Sequence, residues 1–168
     1  MIENWKCKDY DFTTGEGKAN VFVAVDHATN ECVGIHASRW ATHRESLVPM
    51  RQGVREYFGG LGLGCAAGLA VRHSRSSAYL ARDFQAELRC LGTESSPSSL
   101  HQPERDGIAE RFIRTVKENW LWVRPFAIIE ELMQALLAFR RAHSSQWLLA
   151  RGGYRPAAQH RRLCQQAA

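Results

Sequence analysis

The stretch GIAERFIRTVKENW (residues 107–120) predicts a helix with two different faces. At about 100° per residue, one side carries the large apolar residues, which are Ala109, Phe112, Ile113, Val116 and Trp120. Glu110, Arg114 and Lys117 follow one another at i, i+4 and i+7 on another side. Asp106 stands where it can cap the N-terminus of this helix. We therefore expect one face to pack on a core and the other to present one carboxylate and two cations.

The polar face alone has an ordinary interpretation. A Glu110–Arg114 pair on a solvated helix surface contributes only about 0.2–0.5 kcal/mol and implies no function. Whether this face carries chemistry depends on the residues that the rest of the chain brings to it.

Composition limits the class of protein. The chain has 168 residues, of which 45% are hydrophobic and 23% charged, as expected for one globular domain with a real core. Neither a signal-peptide core nor an apolar run long enough for a membrane span is present in the sequence. Five scattered cysteines, without a Cys-x-x-Cys motif, argue against a disulfide scaffold or a structural zinc site and favour a reducing compartment. The net charge of +5 weakly favours a polyanionic partner.

The pattern along the chain predicts an α/β fold. In order, the predicted elements are a short strand in residues 5–14, a turn at 15–18, a strand at 21–25, its hairpin partner at 32–37, a helix after Thr42, a strand at 69–73, a helix containing Phe84, Leu88 and Leu91, a mobile loop at 94–106, the helix at 107–120, and a helix after Pro125. The continuous apolar run at 21–25 indicates a strand buried on both faces. We expect a sheet with an antiparallel start and parallel additions, because the strand at 69–73 follows a helix.

Polar residues follow two of these strands. Asp9 and Asp11 lie at the end of the first strand, and His73 and Ser74 at the end of the strand 69–73. In open α/β sheets, sites form at the carboxyl ends of strands, and Glu110 comes from a helix that follows. A pair of magnesium ions, about 3.5–4 Å apart, needs a cluster of carboxylate oxygens. A lone histidine such as His73 is more often structural than a metal ligand.

Two segments carry a resemblance to a known family. Residues 106–118, DGIAERFIRTVKE, are similar to the transposase pattern D-N-A-x-x-E-x-F-x-x-x-L-K-x-E, and residues 72–79, RHSRSSAY, resemble the run R-H-D-H-G-S-Q-Y. Thirty-five residues separate Ser74 from Glu110, as is typical between the second Asp and the Glu of that family. The chain thus resembles the catalytic core of the retroviral integrase and insertion-sequence transposase superfamily.

The resemblance implies a ribonuclease-H-like mixed sheet with helices on both faces, formed by a core-like domain at residues 1–154 and followed by a frayed basic tail at 155–168. It implies Mg²⁺ or Mn²⁺ as cofactor, with Asp11 and Glu110 as metal ligands and catalytic residues. Arg114 and Lys117 correspond to positions that face DNA. The implied partners are DNA and a second copy of the chain, with no membrane and no small-molecule substrate. The implied location is a bacterial-type cytoplasm, in association with the nucleoid when bound to DNA.

The first carboxylate is ambiguous. The family pattern is Trp, two residues, then Asp, and after Trp5 this spacing leads to Lys8. Asp9 is the next residue and Asp11 lies two further on. We slightly favour Asp11, because it leaves a strand and turn of suitable length for a hairpin, and retain Asp9 as the alternative.

The second carboxylate is missing. Ser74 stands where the family has its second Asp, and Arg75 adds a cation beside it. The serine hydroxyl is neutral at pH 7 and is a weak metal ligand. We therefore expect a catalytically impaired transposase or integrase core, and the alternative is a non-catalytic nucleic-acid-binding remnant or a partner of an active transposase.

Overall fold

The computed structural model describes residues 4–98 and 107–166 of the chain. The strands are β1 (Asn4–Thr14), β2 (Gly17–Asp26), β3 (Cys32–Ser38), β4 (Ala70–His73), β5 (Glu94–Pro97), β6 (Leu148–Leu149) and β7 (Arg155–Pro156). The helices are α1 (His43–Phe58), α2 (Ser77–Leu80), α3 (Arg82–Cys90), α4 (Gly107–Val116), α5 (Ile129–Gln146) and α6 (Ala157–Gln166). A π-helical segment, Lys117–Leu121, continues α4, and a short 3-10 helix, Ala150–Gly152, follows β6. Within these residues, no helix is both long and apolar enough to cross a membrane.

The main sheet has the strand order β3-β2-β1-β4-β5. β2 pairs antiparallel with β1 and with β3, whereas β4 pairs parallel with β1 and with β5. The predicted mixed sheet, antiparallel in its first three strands and parallel in its additions, is confirmed. β5 is the second parallel addition.

Helices cover both faces of this sheet. Residues alternate along β2, so that Phe22 and Ala24 face α1 and α3, while Val21, Val23 and Val25 face α4 and α5. All five side chains are fully buried. The continuous apolar run at 21–25 therefore reflects a central strand between two cores, as predicted.

Helix α4 buries the apolar face that its sequence predicts. Ala109, Phe112, Ile113 and Val116 are all buried, and α4 contacts both β1 and β2. Beyond Val116 the helix widens, because the Trp122 amide donates to the Lys117 carbonyl, five residues back, at 2.9 Å. Asp106, the predicted N-cap, lies outside the described residues.

Helix α1 lies very close to the edge strand β3. A Cβ atom placed on Gly34 would stand 2.0 Å from the Pro49 carbonyl oxygen, so only glycine allows this approach. Pro49 lies inside α1, and its carbonyl faces the sheet at this point. The contact fixes the height of α1 above β3.

The predicted loop at 94–106 is wrong for its first four residues. Glu94–Pro97 forms β5, whose register with β4 runs from Ala70 opposite Glu94 to His73 opposite Pro97. Its polar sequence does not suggest a strand, but strand pairing uses backbone groups that every non-proline residue provides. Residues 99–106 lie outside the described part of the chain.

The expectation of a frayed tail is also wrong for residues 157–166, which form α6. Arg161 is only 6% exposed, and its Nε donates to Glu31 Oε2 at 2.6 Å. Its guanidinium lies over the Tyr57 ring, 3.9 Å from the centroid, and Nη2 is 3.8 Å from Asp26 Oδ2. This buried ion pair fastens α6 to the turn between β2 and β3. The division into a domain at 1–154 and a segment at 155–168 stays a prediction.

Replacing Arg161 tests whether α6 is part of the folded unit. Arg161→Met leaves the buried Glu31 carboxylate with the Tyr57 hydroxyl but without its cation, and we expect the free energy of unfolding to fall by about 3 kcal/mol. Arg162→Met, at an exposed position of the same helix, is the matched control and should change stability by no more than about 0.5 kcal/mol. Denaturant unfolding measures both values. Equal stability of the two variants would show that α6 does not depend on this ion pair.

His143 gives the fold a pH dependence. It is 4% exposed and lies among aromatic rings, with centroid distances of 5.1 Å to Phe112 and 5.5 Å to Phe139. Burial lowers the pKa of His143 from 6.5 to about 4. The unfolded chain therefore takes up the proton first, and stability is lost as the pH falls from about 6.5 towards 4. The loss at this residue is about 3 kcal/mol at pH 4.

The variant His143→Leu removes this titration and keeps an apolar side chain. Compared with the unaltered chain, it should lose about 3 kcal/mol less stability between pH 7 and pH 4, as measured by denaturant unfolding at each pH. Parallel pH profiles for the two proteins would contradict a neutral, buried His143.

Candidate active site

The candidate site forms where β4 ends beside β1. The two strands are parallel, with Cys7 opposite His73, and the Ser74 amide donates to the Cys7 carbonyl at 3.1 Å. Ser74 therefore lies directly next to the segment of β1 that contains Lys8 and Asp9. Helix α4 crosses β1 on the opposite face from α1 and brings Glu110 to the same region.

Asp9 is the carboxylate that contacts Ser74. Ser74 Oγ donates to Asp9 Oδ1 at 2.8 Å, and Ser76 Oγ lies 3.4 Å from the same oxygen. The Ser76 amide donates in turn to Ser74 Oγ at 3.3 Å. Two hydroxyls thus contact one oxygen of Asp9, and the Ser74 hydroxyl both donates and accepts a hydrogen bond in this network.

Asp11 lies further along β1, towards the hairpin. Its Oδ2 forms an ion pair with Lys18 Nζ at 2.7 Å, and its side chain is 60% exposed. The structure thus brings Asp9, rather than the slightly favoured Asp11, into contact with Ser74.

Glu110 contacts a lysine. The Nζ atom of Lys8 and Oε1 of Glu110 form an ion pair between β1 and α4. Successive residues of a strand point to opposite faces, so Lys8 points towards α4 while Asp9 points away from it. Lys8 is also the residue to which the Trp5 spacing leads. The sequence analysis did not predict the contact between Lys8 and Glu110. The spacing from Trp5 was the only feature of the sequence that pointed to Lys8.

The donor set does not fit Mg²⁺. Among residues 4–98 and 107–166, no three His, Cys, Asp or Glu side chains are grouped so that they could hold a metal ion. Magnesium requires several hard oxygen ligands, but here Glu110 holds an ammonium and Ser74 supplies a neutral hydroxyl. The arrangement does not offer a cage of carboxylates.

His73 has a structural role beside the site. It is 1% exposed, its Nδ1 donates to the Ser74 carbonyl at 2.8 Å, and its Nε2 accepts from Gln85 Nε2 at 3.1 Å. Ser95 Oγ of β5 donates to Gln85 Oε1 at 2.8 Å and so completes the network. Burial lowers the pKa of His73, which favours the neutral ring. His73 therefore connects β4 with α3 and β5 through hydrogen bonds next to Ser74.

The row Glu110, Arg114 and Lys117 runs along β1. Glu110 lies at Lys8, and Lys117 Nζ lies 4.7 Å from the centroid of the Tyr10 ring. Arg114, between them, is exposed. The polar face of α4 thus continues the surface that contains the candidate site and adds cations to it.

No family model and no curated protein matches this chain. Solved structures do match. An intasome of simian T-cell lymphotropic virus, in complex with a PP2A regulatory subunit, contains a chain with a TM-score of 0.73 and 15% identity, over 95% of this chain and 54% of that one. The chain described here therefore spans about half of that protein.

Two isolated domains are similar over almost their whole length. The HTLV-2 integrase catalytic core, in complex with magnesium, has a TM-score of 0.70 and 14% identity, over 94% of this chain and 95% of that one. The BIV integrase catalytic core has a TM-score of 0.70 and 12% identity, over 99% and 98% of the two chains. The fold is that of a retroviral integrase catalytic core. At these identities the similarity establishes the integrase-like fold, and the chemistry must be argued from the residues of this chain.

Proposed function

We propose that this chain is an integrase- or transposase-type core domain that acts in DNA integration by binding DNA and has lost strand cleavage and strand transfer. One observation carries the proposal. The resemblance leads to two positions for carboxylates beside Glu110, one by the spacing from Trp5 and one by the 35 residues that precede Glu110. These positions hold Lys8, whose ammonium contacts Glu110, and Ser74, whose hydroxyl contacts Asp9. The integrase-like fold and the polar face of α4 support a role on DNA.

Loss of catalysis follows from what these side chains do. Metal-assisted phosphodiester cleavage needs cations that polarise the phosphate and activate the nucleophile. The Lys8 ammonium is one positive charge that donates hydrogen bonds, and it cannot lower the pKa of a bound water as a divalent cation does. Ser74 adds no charge. These residues can hold a phosphate but lack the means to activate water or a 3′-hydroxyl.

DNA binding is supported by charge. The chain carries a net charge of +5, and exposed Arg114 lies on the same face as Lys8 and Lys117. Lysine and arginine side chains bind phosphates without reading sequence, and they position a protein on the duplex. We assign Arg114 and Lys117 to this surface.

The remaining expectations are proposals of the same kind. The HTLV-2 core is described in trimeric and dimeric forms, which supports self-association of this chain. A non-catalytic core could then act together with an active copy of a related transposase on the same DNA. We propose a bacterial-type cytoplasm as the location and expect no small-molecule substrate. We also keep residues 1–154 as the proposed core-like domain.

A cleavage assay tests the loss of catalysis. The unaltered chain should not nick or join end-like duplexes in Mg²⁺ or Mn²⁺, and Ser74→Asp alone should remain inactive because Lys8 still neutralises Glu110. Glu110→Gln is the control for contaminating nucleases. Cleavage by the unaltered chain that disappears in Glu110→Gln would show that a second carboxylate lies elsewhere and that the domain is active.

A salt titration tests DNA binding. Replacing Arg114 and Lys117 by Ala should weaken binding to duplex DNA and reduce the slope of log K against log salt by about one for each lost phosphate contact. The matched control is Arg82→Ala with Arg89→Ala, because these exposed cations belong to α3 on the opposite face of the sheet. Fluorescence anisotropy at several salt concentrations measures both slopes. An equal change in the two double variants would assign the binding to net charge and reject the α4 surface.

A further inference from the structure

The Lys8–Glu110 pair joins two elements that are distant in sequence. Lys8 belongs to β1 and Glu110 to α4, and the two side chains are 33% and 54% exposed. Solvent reaches both groups, so the pair contributes little to stability. Its interest lies in where it is. Lys8 follows Cys7, whose carbonyl accepts from the Ser74 amide, so the pair lies on the α4 side of the strand segment that Ser74 borders. The resemblance to integrase cores places the metal-binding carboxylates in this part of the fold.

Lys8 cancels one of the two negative charges in this part of the structure. Lys8 carries one positive charge, and Asp9 and Glu110 carry one negative charge each, while Ser74 is neutral. A divalent cation that approached Glu110 would have to displace the ammonium or remain beside it. Repulsion between the two cations opposes binding, and Ser74 offers no additional negative charge to offset that repulsion.

We propose that the Lys8 ammonium takes the place of a divalent cation on Glu110 and closes this site to Mg²⁺ and Mn²⁺. The inference goes beyond the loss of catalysis, because Ser74 alone could explain an inactive enzyme. It assigns to Lys8 the exclusion of metal, and it requires that restoring the second carboxylate leaves the site without metal as long as Lys8 is present.

The ordinary alternative is a surface ion pair without consequence. Lysine side chains are flexible, and an exposed pair of this kind exchanges readily with solvent. If that is all that Lys8 does, its replacement will not change the affinity of the site for a metal ion. Variants that share the restored carboxylate and differ at Lys8 distinguish the two interpretations.

The experiment measures Mn²⁺ binding by calorimetry and by the paramagnetic relaxation of water, without DNA, so that its outcome is independent of DNA binding. The proteins are the unaltered chain, Ser74→Asp, Ser74→Asp with Lys8→Asp, and Ser74→Asp with Lys8→Ala. Ser74→Asp with Lys18→Asp is the charge-matched control, because Lys18 pairs with Asp11 near the hairpin. Circular dichroism and thermal unfolding verify that each variant is folded.

We expect no saturable binding at millimolar Mn²⁺ in the unaltered chain, in Ser74→Asp or in the Lys18 control. Ser74→Asp with Lys8→Asp should bind at least tenfold more tightly than Ser74→Asp, and the Lys8→Ala combination should also bind more tightly than Ser74→Asp. The alanine variant removes the cation without adding a charge, so it decides the question if the aspartate variant fails to fold.

Three results would overturn the proposal. One is saturable binding by the unaltered chain that is lost in Glu110→Gln. Another is equal affinity of Ser74→Asp and its Lys8 combinations, including the case in which none of them binds. The third is a gain in the Lys18 control as large as the gain at Lys8, which would assign the effect to net charge.

Discussion

The parallel pairing of β4 with β1 is the constraint on which the site depends. The backbone bond from the Ser74 amide to the Cys7 carbonyl fixes which residues of β1 lie beside the end of β4. Strand alternation then decides that Lys8 points to α4 and Asp9 to the other face. A shift of one residue in this register would exchange their roles, so the identity of the partner of Glu110 is a property of the backbone pairing.

Parts of the chain with strong local patterns could be predicted from sequence. The apolar run at 21–25 predicts a strand covered on both sides, and the spacing of Phe112, Ile113 and Val116 predicts the buried face of α4; the structure buries both as predicted. The prediction that the second carboxylate is missing likewise rests on one residue, Ser74. In these cases a short segment contains the physical cause, namely the periodic burial of apolar side chains or the chemistry of one residue.

The parts that could not be predicted depend on partners remote in sequence. Lys8 and Glu110 are separated by 102 positions, and Arg161 and Glu31 by 130, so no local periodicity relates them. The polar strand β5 forms because β4 offers it a free edge, and Ser95 then meets Gln85 and His73. Spacing along the chain likewise does not show that Asp9 contacts Ser74 whereas Asp11 pairs with Lys18.

The π-helical segment Lys117–Leu121 has a consequence for the surface beyond α4. This wider turn is the last turn of the helix, and its hydrogen bonds span one residue more than those of an uninterrupted α-helix. Leu121 turns into the core and is 1% exposed, while Trp122 and Val123 turn outward and are 67% and 68% exposed. The wider turn therefore acts as a phase shift at the end of the helix. Its extra residue helps to determine which aromatic and aliphatic side chains are buried and which are exposed.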